Sequence, residues 1–319
     1  MADWFVEEGI GETRALLIGS GGKVLGAKVI WPGELRAGMV TSAKLASKTA
    51  GARRGTATLS DGREVLVDHL PKGVNEGDEL SIRITRGAIA ERGRYKLPQG
   101  RITTETSREA ANWLSDAQKV RAFDSGDWED IWHSASSGEV EFDGGTLLFS
   151  VTPAMTLIDI DGGGSPKGVS LAAVPAIARW LCAFDLGGNI GIDFPTIEAK
   201  ADRRAVDEAL ATHLADWPHE RTAMNGFGFV QIVSRLEGPS LLHRFASSRM
   251  GMCARHALRV AERAQGTGPV ILLAVHPAVK SHLKPEWLAK LSQRTGKDVR
   301  IENDPSLALG GPNAQVLSV

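Results

Sequence analysis

Between Thr13 and Ile30 apolar residues return at every second position, as A-L-L-I and then K-V-L-G-A-K-V-I around the turn G-S-G-G. Side chains alternate between the faces of a strand, so two such runs flanking a glycine cluster predict a β-hairpin. Trp31-Pro32-Gly33 breaks the alternation. From Gly38 to Lys96 the runs are short and show no helical period: M-V-T-S-A-K-L-A-S, G-T-A-T-L-S, R-E-V-L-V-D and E-L-S-I-R-I-T-R. Asp61-Gly62 is a tight hairpin turn, since both residues tolerate positive φ. About five short strands in roughly sixty residues suit a small barrel of the OB type, a fold that often binds single-stranded nucleic acid.

The period then changes. Thr106 to Phe123 reads as a helix, with Thr106 and Glu109 spaced as a capping box and Ala110, Trp113, Leu114, Ala117 and Val120 near one face. A shorter helix covers Trp128 to Ser134, and its lone His133 reads as structural. Val140 to Val151 forms a hairpin around Asp143-Gly144-Gly145. An apolar strand runs from Met155 to Asp161. Ser170 is the expected N-cap of a helix reaching Asp185, with Pro175 inside it. Ala199 to Ala215 is a further helix, whose early Arg203 and Arg204 either face an anion or pair with Asp202 and Asp207. In the β-like stretch Thr222 to Arg235, Phe227 and Phe229 share a parity, which reads as a core face ahead of a base-stacking platform. A helix over Ser247 to Ala264 follows. The strand Pro269 to His276, helices from Pro277 and Pro285, and the strand D-V-R-I-E-N make a small α/β unit.

Composition narrows the class. The chain has 319 residues, 42% hydrophobic and 24% charged, as in soluble globular proteins of two or three domains. No window approaches the roughly 18–20 apolar residues that span a bilayer. The acidic start M-A-D-W-F-V-E-E lacks a secretory pattern, so a cytoplasmic protein without membrane partners is expected. Two cysteines, Cys182 and Cys253, are too few for a disulfide framework or a four-cysteine metal site. The net charge of -1 argues against a uniformly basic nucleic-acid binder. Its distribution says more: between Arg36 and Arg101 bases outnumber acids, with Arg53, Arg54, Arg83, Arg86, Arg92, Arg94 and Lys96 among them, whereas Ser125 to Asp143 is acidic. Such a split places a phosphate-attracting patch on a nearly neutral protein; the alternative is that these bases solvate a small β domain.

The candidate chemistry lies between Met155 and Ile197. Two apolar runs end in acids, Asp159 and Asp161 on the first and Asp193 on the second, with an amphipathic segment closed by Gly187 and Gly188 between them. If the strands lie side by side, the carboxylates gather at one sheet edge. Gathered carboxylates repel unless a cation neutralises them, and Mg²⁺ takes hard oxygen ligands of this kind. Gly162-Gly163-Gly164 lets backbone amides approach a phosphate, but without the lysine and hydroxyl of a P-loop.

The segments A-M-T-L-I-D-I-D, S-L-A-A-V-P-A-I-A-R-W-L-C-A-F-D-L-G-G and G-I-D-F-P-T-I, followed by R-R-A-V and N-G-F-G, resemble the catalytic region of the ribonuclease E/G family. Weaker similarity lies in E-T-R-A-L-L-I and L-L-A-V-H-P-A-V-K-S-H-L. The resemblance implies a mixed α/β multidomain chain. Residues 1–36 and 101–138 would belong to a ribonuclease H-like region into which an OB-fold β-barrel, 37–100, is inserted. A DNase-I-like catalytic subdomain would follow at 139–266 and a small C-terminal α/β domain at 267–319. The family's 5′-end sensing segment is expected to be absent.

The implied activity is Mg²⁺-dependent hydrolysis of single-stranded RNA, in RNA processing or decay, leaving 5′-phosphates, with Mn²⁺ as a possible substitute. Asp159 and Asp193 occupy the family's metal-binding positions, and Asp161 stands where an asparagine is usual, adding a carboxylate. Catalysis and metal binding are therefore assigned to Asp159, Asp161 and Asp193, and RNA binding to Arg53, Arg54, Arg86, Arg92, Arg94, Lys96, Arg204 and Arg235. The departures are also specific. Pro153 replaces a family glutamate, Arg235 is shifted by one position, and Thr58 and Leu66 replace barrel aromatics. Cys253 stands without the partner of a zinc link, so no zinc is expected and any homodimer would lack that link. Two other readings compete: a catalytically weakened RNA-binding protein on the same scaffold, and a metal-dependent nuclease for short oligonucleotides or DNA.

Overall fold

The structure is a computed structural model that describes residues 2–91, 93–105, 116–124 and 126–318. The chain opens with β1 (Asp3–Glu8), β2 (Thr13–Ile18) and β3 (Val24–Ile30). Next come β4 (Val40–Lys48), β5 (Arg54–Leu59), β6 (Glu64–Asp68) and β7 (Glu79–Arg86), then the hairpin β8 (Ile89–Glu91) and β9 (Arg94–Lys96), and β10 (Gln99–Ile102). β11 (Gln118–Val120) and α1 (Asp127–Ser137) lead to β12 (Glu139–Phe142), β13 (Gly145–Val151), β14 (Thr156–Gly162), α2 (Pro166–Ala183) and β15 (Gly188–Asp193). After α3 (Lys200–His213) come β16 (His219–Arg221), β17 (Phe229–Ser234) and α4 (Leu241–Glu262). The last elements are β18 (Val270–Val275), α5 (Pro277–Lys280), α6 (Pro285–Thr295), β19 (Asp298–Asn303) and β20 (Asn313–Leu317).

Strands β10-β6-β5-β4-β7 close into a barrel with its own apolar core, in which Leu45, Ala57, Val65, Val67, Ile82 and Ile84 are buried. The expected OB-like barrel is therefore present, and its fifth strand runs on to Ile102. Around it lie a four-stranded sheet, β11-β1-β2-β3, a six-stranded sheet, β12-β13-β14-β15-β17-β16, and a three-stranded sheet, β19-β18-β20. These share a second core containing Leu16, Trp128, Trp132, Ile158, Ile177, Ile192, Leu258 and Leu273.

The sequence reading needs correction at several ends. Gln118–Val120 is not helical: it extends β1 as a parallel neighbour, Phe5 opposite Gln118 and Glu7 opposite Val120. An open strand edge offers that segment hydrogen bonds that outweigh its helical pattern. The proposed capping box and Trp113 and Leu114 lie outside the described residues. α2 begins at Pro166 rather than after Ser170, because Ser165 Oγ accepts the Gly168 amide and Pro166 needs no hydrogen-bonding partner for its nitrogen. Ser170 instead lies inside the helix and donates to the Pro166 carbonyl. α4 starts at Leu241, where Ser240 is the N-cap, and bends at Ser248. β1 and β20 are strands that the sequence pattern does not predict.

A buried ion network ties these parts together. Glu7 Oε1 accepts from Arg14 Nη2 at 2.7 Å and Arg259 Nε at 2.9 Å, and Glu7 Oε2 accepts the Phe123 amide at 3.0 Å. Arg14 also bonds Glu12, and Arg259 reaches Glu129 on α1. Burial raises the Glu7 pKa, but the hydrogen bond from Arg259 and the charges of Arg14 and Arg259 more than offset it, leaving it below the usual carboxylate value. Glu129 is held down in the same way by Arg259 and Arg263.

Removing one partner of such a network strands the others in the core. Arg259→Leu should lower unfolding stability by about 3–5 kcal/mol, read from urea denaturation. His256, stacked on Trp132 with ring centroids 4.1 Å apart, has its pKa pushed down to about 4, first by burial and then by His133, Arg259 and Arg14. The unfolded chain therefore binds a proton that the native state refuses, and His256 costs stability as pH falls from about 6.5 towards 4. Urea midpoints of His256→Phe across that window should fall less steeply than those of the parent.

Candidate functional site

β14, α2 and β15 form a βαβ unit. The two strands pair in parallel, with Thr156 opposite Ile190, Ile158 opposite Ile192 and Asp159 opposite Asp193. Thr156, Ile158 and Ile160 face the core with Ile190 and Ile192, so alternation sends Leu157, Asp159, Asp161, Asn189, Gly191 and Asp193 to the other face. That face is open to solvent. Asp159 and Asp193 sit on it side by side, about one interstrand spacing of 4.8 Å apart at the backbone. Asp161 lies two residues further along, opposite Thr146 of β13, because β15 ends at Asp193. Among the described residues, no three His, Cys, Asp or Glu side chains are grouped to hold a metal ion. The arrangement is thus an adjacent aspartate pair with a third carboxylate on the same face. Mg²⁺ commonly binds through one or two carboxylates plus substrate phosphate, retaining several waters, so this donor set fits it.

The same edge receives two helix starts. α2 follows β14 through residues 163–165, and α3 follows β15 through residues 194–199. Helix N-termini carry partial positive charge and free amides, and ligands of open α/β sheets gather beyond the carboxyl ends of parallel strands. Gly163 and Gly164 leave open space where side chains would stand, so backbone can approach a ligand there.

Asn225 builds the adjoining wall. Its Oδ1 accepts the amides of Phe227 at 2.9 Å and Phe229 at 3.1 Å. Gly228, at φ +91°, passes so close to Phe194 that a Cβ would lie 2.3 Å from that carbonyl. Its own carbonyl accepts the Phe194 amide. The turn is therefore fixed against the residue after Asp193, yet it holds Phe227 84% exposed. The core-face reading is corrected for both rings: Val230 and Ile232 face the core, so Phe229 lies on the open face, and the glycine at 228 turns the chain and removes Phe227 from the strand altogether. Phe229 opposes Asp193 in register, and its ring lies over Gly191, where a Cβ would be 2.5 Å from Cζ. The spacing N-G-F-G, an Asx turn followed by an obligatory glycine, was the signal available.

The basic residues assigned to RNA are spread, and most are already engaged. Arg53 donates to the Leu70 carbonyl, and Arg54 pairs with Asp68. Arg86 is half-buried, donates to the Leu97 carbonyl and has its pKa lowered by burial. Arg94 and Lys96 both bond Glu91, and Arg94 also reaches the Pro153 carbonyl. Arg204 pairs with Glu208 and Arg235 with Glu237, all four exposed. Arg92 lies outside the described residues. Arg203 donates to the carbonyls of Ile197 and Glu198, while Asp202 pairs with Lys167 and Asp207 with Arg221, so neither expected pairing on α3 forms. Cys182 and Cys253 are free thiols, their pKa values raised by burial, in α2 and α4. No described helix is long and apolar enough to cross a membrane.

The fold thus joins an OB-like barrel to mixed sheets and sets paired aspartates at the carboxyl edge of a βαβ unit. The sequence model of the ribonuclease E/G family matches residues 78–235, covering the site strands and part of the barrel. The chain belongs to that family. It is 30% identical over 138 residues to Ribonuclease E of Buchnera aphidicola subsp. Acyrthosiphon pisum, covering 40% of this chain and 14% of that protein. It is 28% identical over 212 residues to Ribonuclease G of Escherichia coli K12 and equally to that of Salmonella typhimurium, each match covering 57% of this chain and 43% of the relative. The chain thus spans less than half the length of these relatives.

Gly228→Ala places a Cβ against the Phe194 carbonyl at a positive φ. It should cost about 1–3 kcal/mol of stability in thermal or urea unfolding. Gly226→Ala, with nothing within 4 Å of its Cβ, should be close to neutral.

Proposed function

We propose that this chain is a metal-dependent ribonuclease that hydrolyses phosphodiester bonds of single-stranded RNA and leaves 5′-phosphate products. One observation carries the reading: parallel register sets Asp159 beside Asp193 on an open sheet face, between two helix N-termini. Asp159 and Asp193 would hold Mg²⁺ or Mn²⁺. Bound there, the ion would polarise the scissile phosphate and lower the pKa of an attacking water. Asp161 lies within reach of the same face and adds negative charge that favours a strongly bound cation.

The chain's own residues supply the rest. The helix starts of α2 and α3 attract phosphate oxygens. The face carries few uncovered apolar groups besides Leu148, Val233 and the ring of Phe227, so a strand can lie across it with bases against those groups. Phe227, fixed at the backbone and exposed at the ring, offers a stacking face beside the turn that packs on Phe194. It takes the place of the barrel aromatics that Thr58 and Leu66 lack. With most barrel arginines held in internal pairs, stacking and helix dipoles carry a larger share of RNA affinity than the charge pattern suggests.

Incubating 5′-labelled single-stranded RNA and DNA with Mg²⁺, Mn²⁺ or EDTA tests this. RNA cleavage should need the metal and vanish in Asp193→Asn, by more than the about 10–100-fold that outer-shell changes cost. Binding of RNA without cleavage by the parent protein overturns the enzyme reading, and cleavage of DNA alone overturns the substrate. Asp161→Asn should retain cleavage with an altered Mg²⁺ and Mn²⁺ concentration dependence.

Phe227→Ala should weaken RNA affinity measured in EDTA by about 5–150-fold, the equivalent of roughly 1–3 kcal/mol for one stacked base. Phe227→Tyr should retain it.

A further inference from the structure

The open sheet face around Asp159 and Asp193 is divided by charge. Register sets Glu139, Leu148, Asp159, Asp193 and Phe229 side by side across five strands, with Glu141, Thr146 and Asp161 in the next row. Val140 and Phe142 turn towards the core, so Glu139 and Glu141 point outwards. Strands β12, β13 and β14 thus present acids on this face and contain no basic residue. β15 and β17 carry no charged residue besides Asp193 itself. The next acid on that side, Glu220 of β16, stands opposite Val233 at the sheet margin. A nucleic-acid strand anchored by one phosphate at the aspartates is therefore repelled over β12–β14 and admitted over β15 and β17.

What it meets there suits a base. Phe229, opposite Asp193, leans its ring over Gly191, and the glycine makes the room: a Cβ there would lie 2.5 Å from Phe229 Cζ and 3.0 Å from Leu157 Cδ2. Phe229 and Leu157 are both partly exposed, so apolar surface stays uncovered beside the aspartates. Next to them stand Gln231, opposite Gly191, and Asn189, opposite Val233. Gln231 donates its backbone amide to Thr222 Oγ1, but its side-chain amide, like that of Asn189, has no hydrogen-bond partner among the described residues. Each side chain offers a carbonyl acceptor and an NH₂ donor. Paired donors and acceptors beside an aromatic ring are what read the edge of an unpaired base.

We infer that the β15–β17 half of the face is a base-reading subsite: the base beside the scissile phosphate stacks on Phe229, and the amides of Gln231 and Asn189 bond its edge. The inference rests on the proposed role of Asp159 and Asp193 in holding RNA, and it makes the position of cleavage depend on base identity. Phe229 supplies affinity open to any base, since every base has a π-face. Gln231 and Asn189 supply the discrimination.

Binding and cleavage are measured separately. Asp193→Asn in EDTA removes turnover and one of the charges facing the phosphate; on that background, fluorescence anisotropy compares labelled single-stranded RNA pentamers of A, C and U. The tightest and weakest should differ by about 5-fold or more, and replacing Gln231 and Asn189 together by Leu should bring all three within about 2-fold. Gln231→Glu keeps the acceptors and removes the donors, so it should shift the order by about 10-fold towards A and C, which present amino groups, and against U. Phe229→Leu should weaken all three alike, by about 5-fold or more, and Phe229→Tyr should restore binding. Equal binding of the three pentamers before any change at Gln231 and Asn189, an order that survives their joint replacement, or no RNA binding at all overturns the subsite. In parallel, sequencing the ends that the parent protein leaves on a random RNA pool with Mg²⁺ should show a base bias beside the cut, lost in the Gln231 and Asn189 double variant. Discrimination in EDTA without cleavage by the parent overturns the nuclease reading and supports the subsite, whereas cleavage without base bias overturns the subsite alone.

Discussion

Glu7 is the buried anion on which the rest of the second core depends. A carboxylate taken out of water needs compensation from several directions at once, and it receives it from β2 through Arg14, from α4 through Arg259 and from the backbone at Phe123. Gly9 leaves the room, since a Cβ there would lie 2.4 Å from Arg14 Nη2. Arg259 passes the link on to Glu129 of α1. One acid thus fixes the first sheet, the long helix and α1 relative to one another. Hydrophobic packing alone tolerates small slips between such layers, whereas charge-assisted hydrogen bonds have narrow geometry.

This frame matters to the site because it supports the six-stranded sheet from behind. The aspartates need no support of their own beyond the ladder: parallel pairing sets their spacing, and α2 brings the second strand back beside the first. What the frame provides is a rigid backing that leaves the opposite sheet face open. The Asn225 turn adds a wall in the same economical way, with one amide side chain fixing two backbone groups. The rings around it are then free to face solvent.

Period-two alternation made most strands legible; the run of short strands suited a barrel, and the Asp159–Asp193 juxtaposition depended on a pairing of β14 with β15 that only the structure supplies. What could not be read has definite causes. β11 is a strand only because β1 offers an edge, a fact no local pattern carries. Ser165 and Ser170 are equally good caps in isolation, and the choice fell to Pro166 in the first turn. Phe227 and Phe229 look alike in sequence, but their parity is that of the open face, and the glycine between them takes the first out of the strand while the second lies over Gly191. The basic run of the barrel looked like a phosphate surface, yet Asp68 and Glu91 occupy several of its members. Both acids were visible in the sequence; their distance from Arg54, Arg94 and Lys96 was not.

The α2 crossover also governs where the chain can change length. Eighteen helical residues, capped at Ser165 and ending at Ala183, separate the two strands and act as a spacer of fixed span. An insertion within it would rotate its apolar stripe off the sheet and shift the return of β15. Residues 163–165 lie between the strand and the helix, and an added side chain at Gly163 or Gly164 would meet only open space. Length variation is thus channelled to the rim, where it can reshape access while the relative positions of Asp159 and Asp193 stay as the ladder sets them.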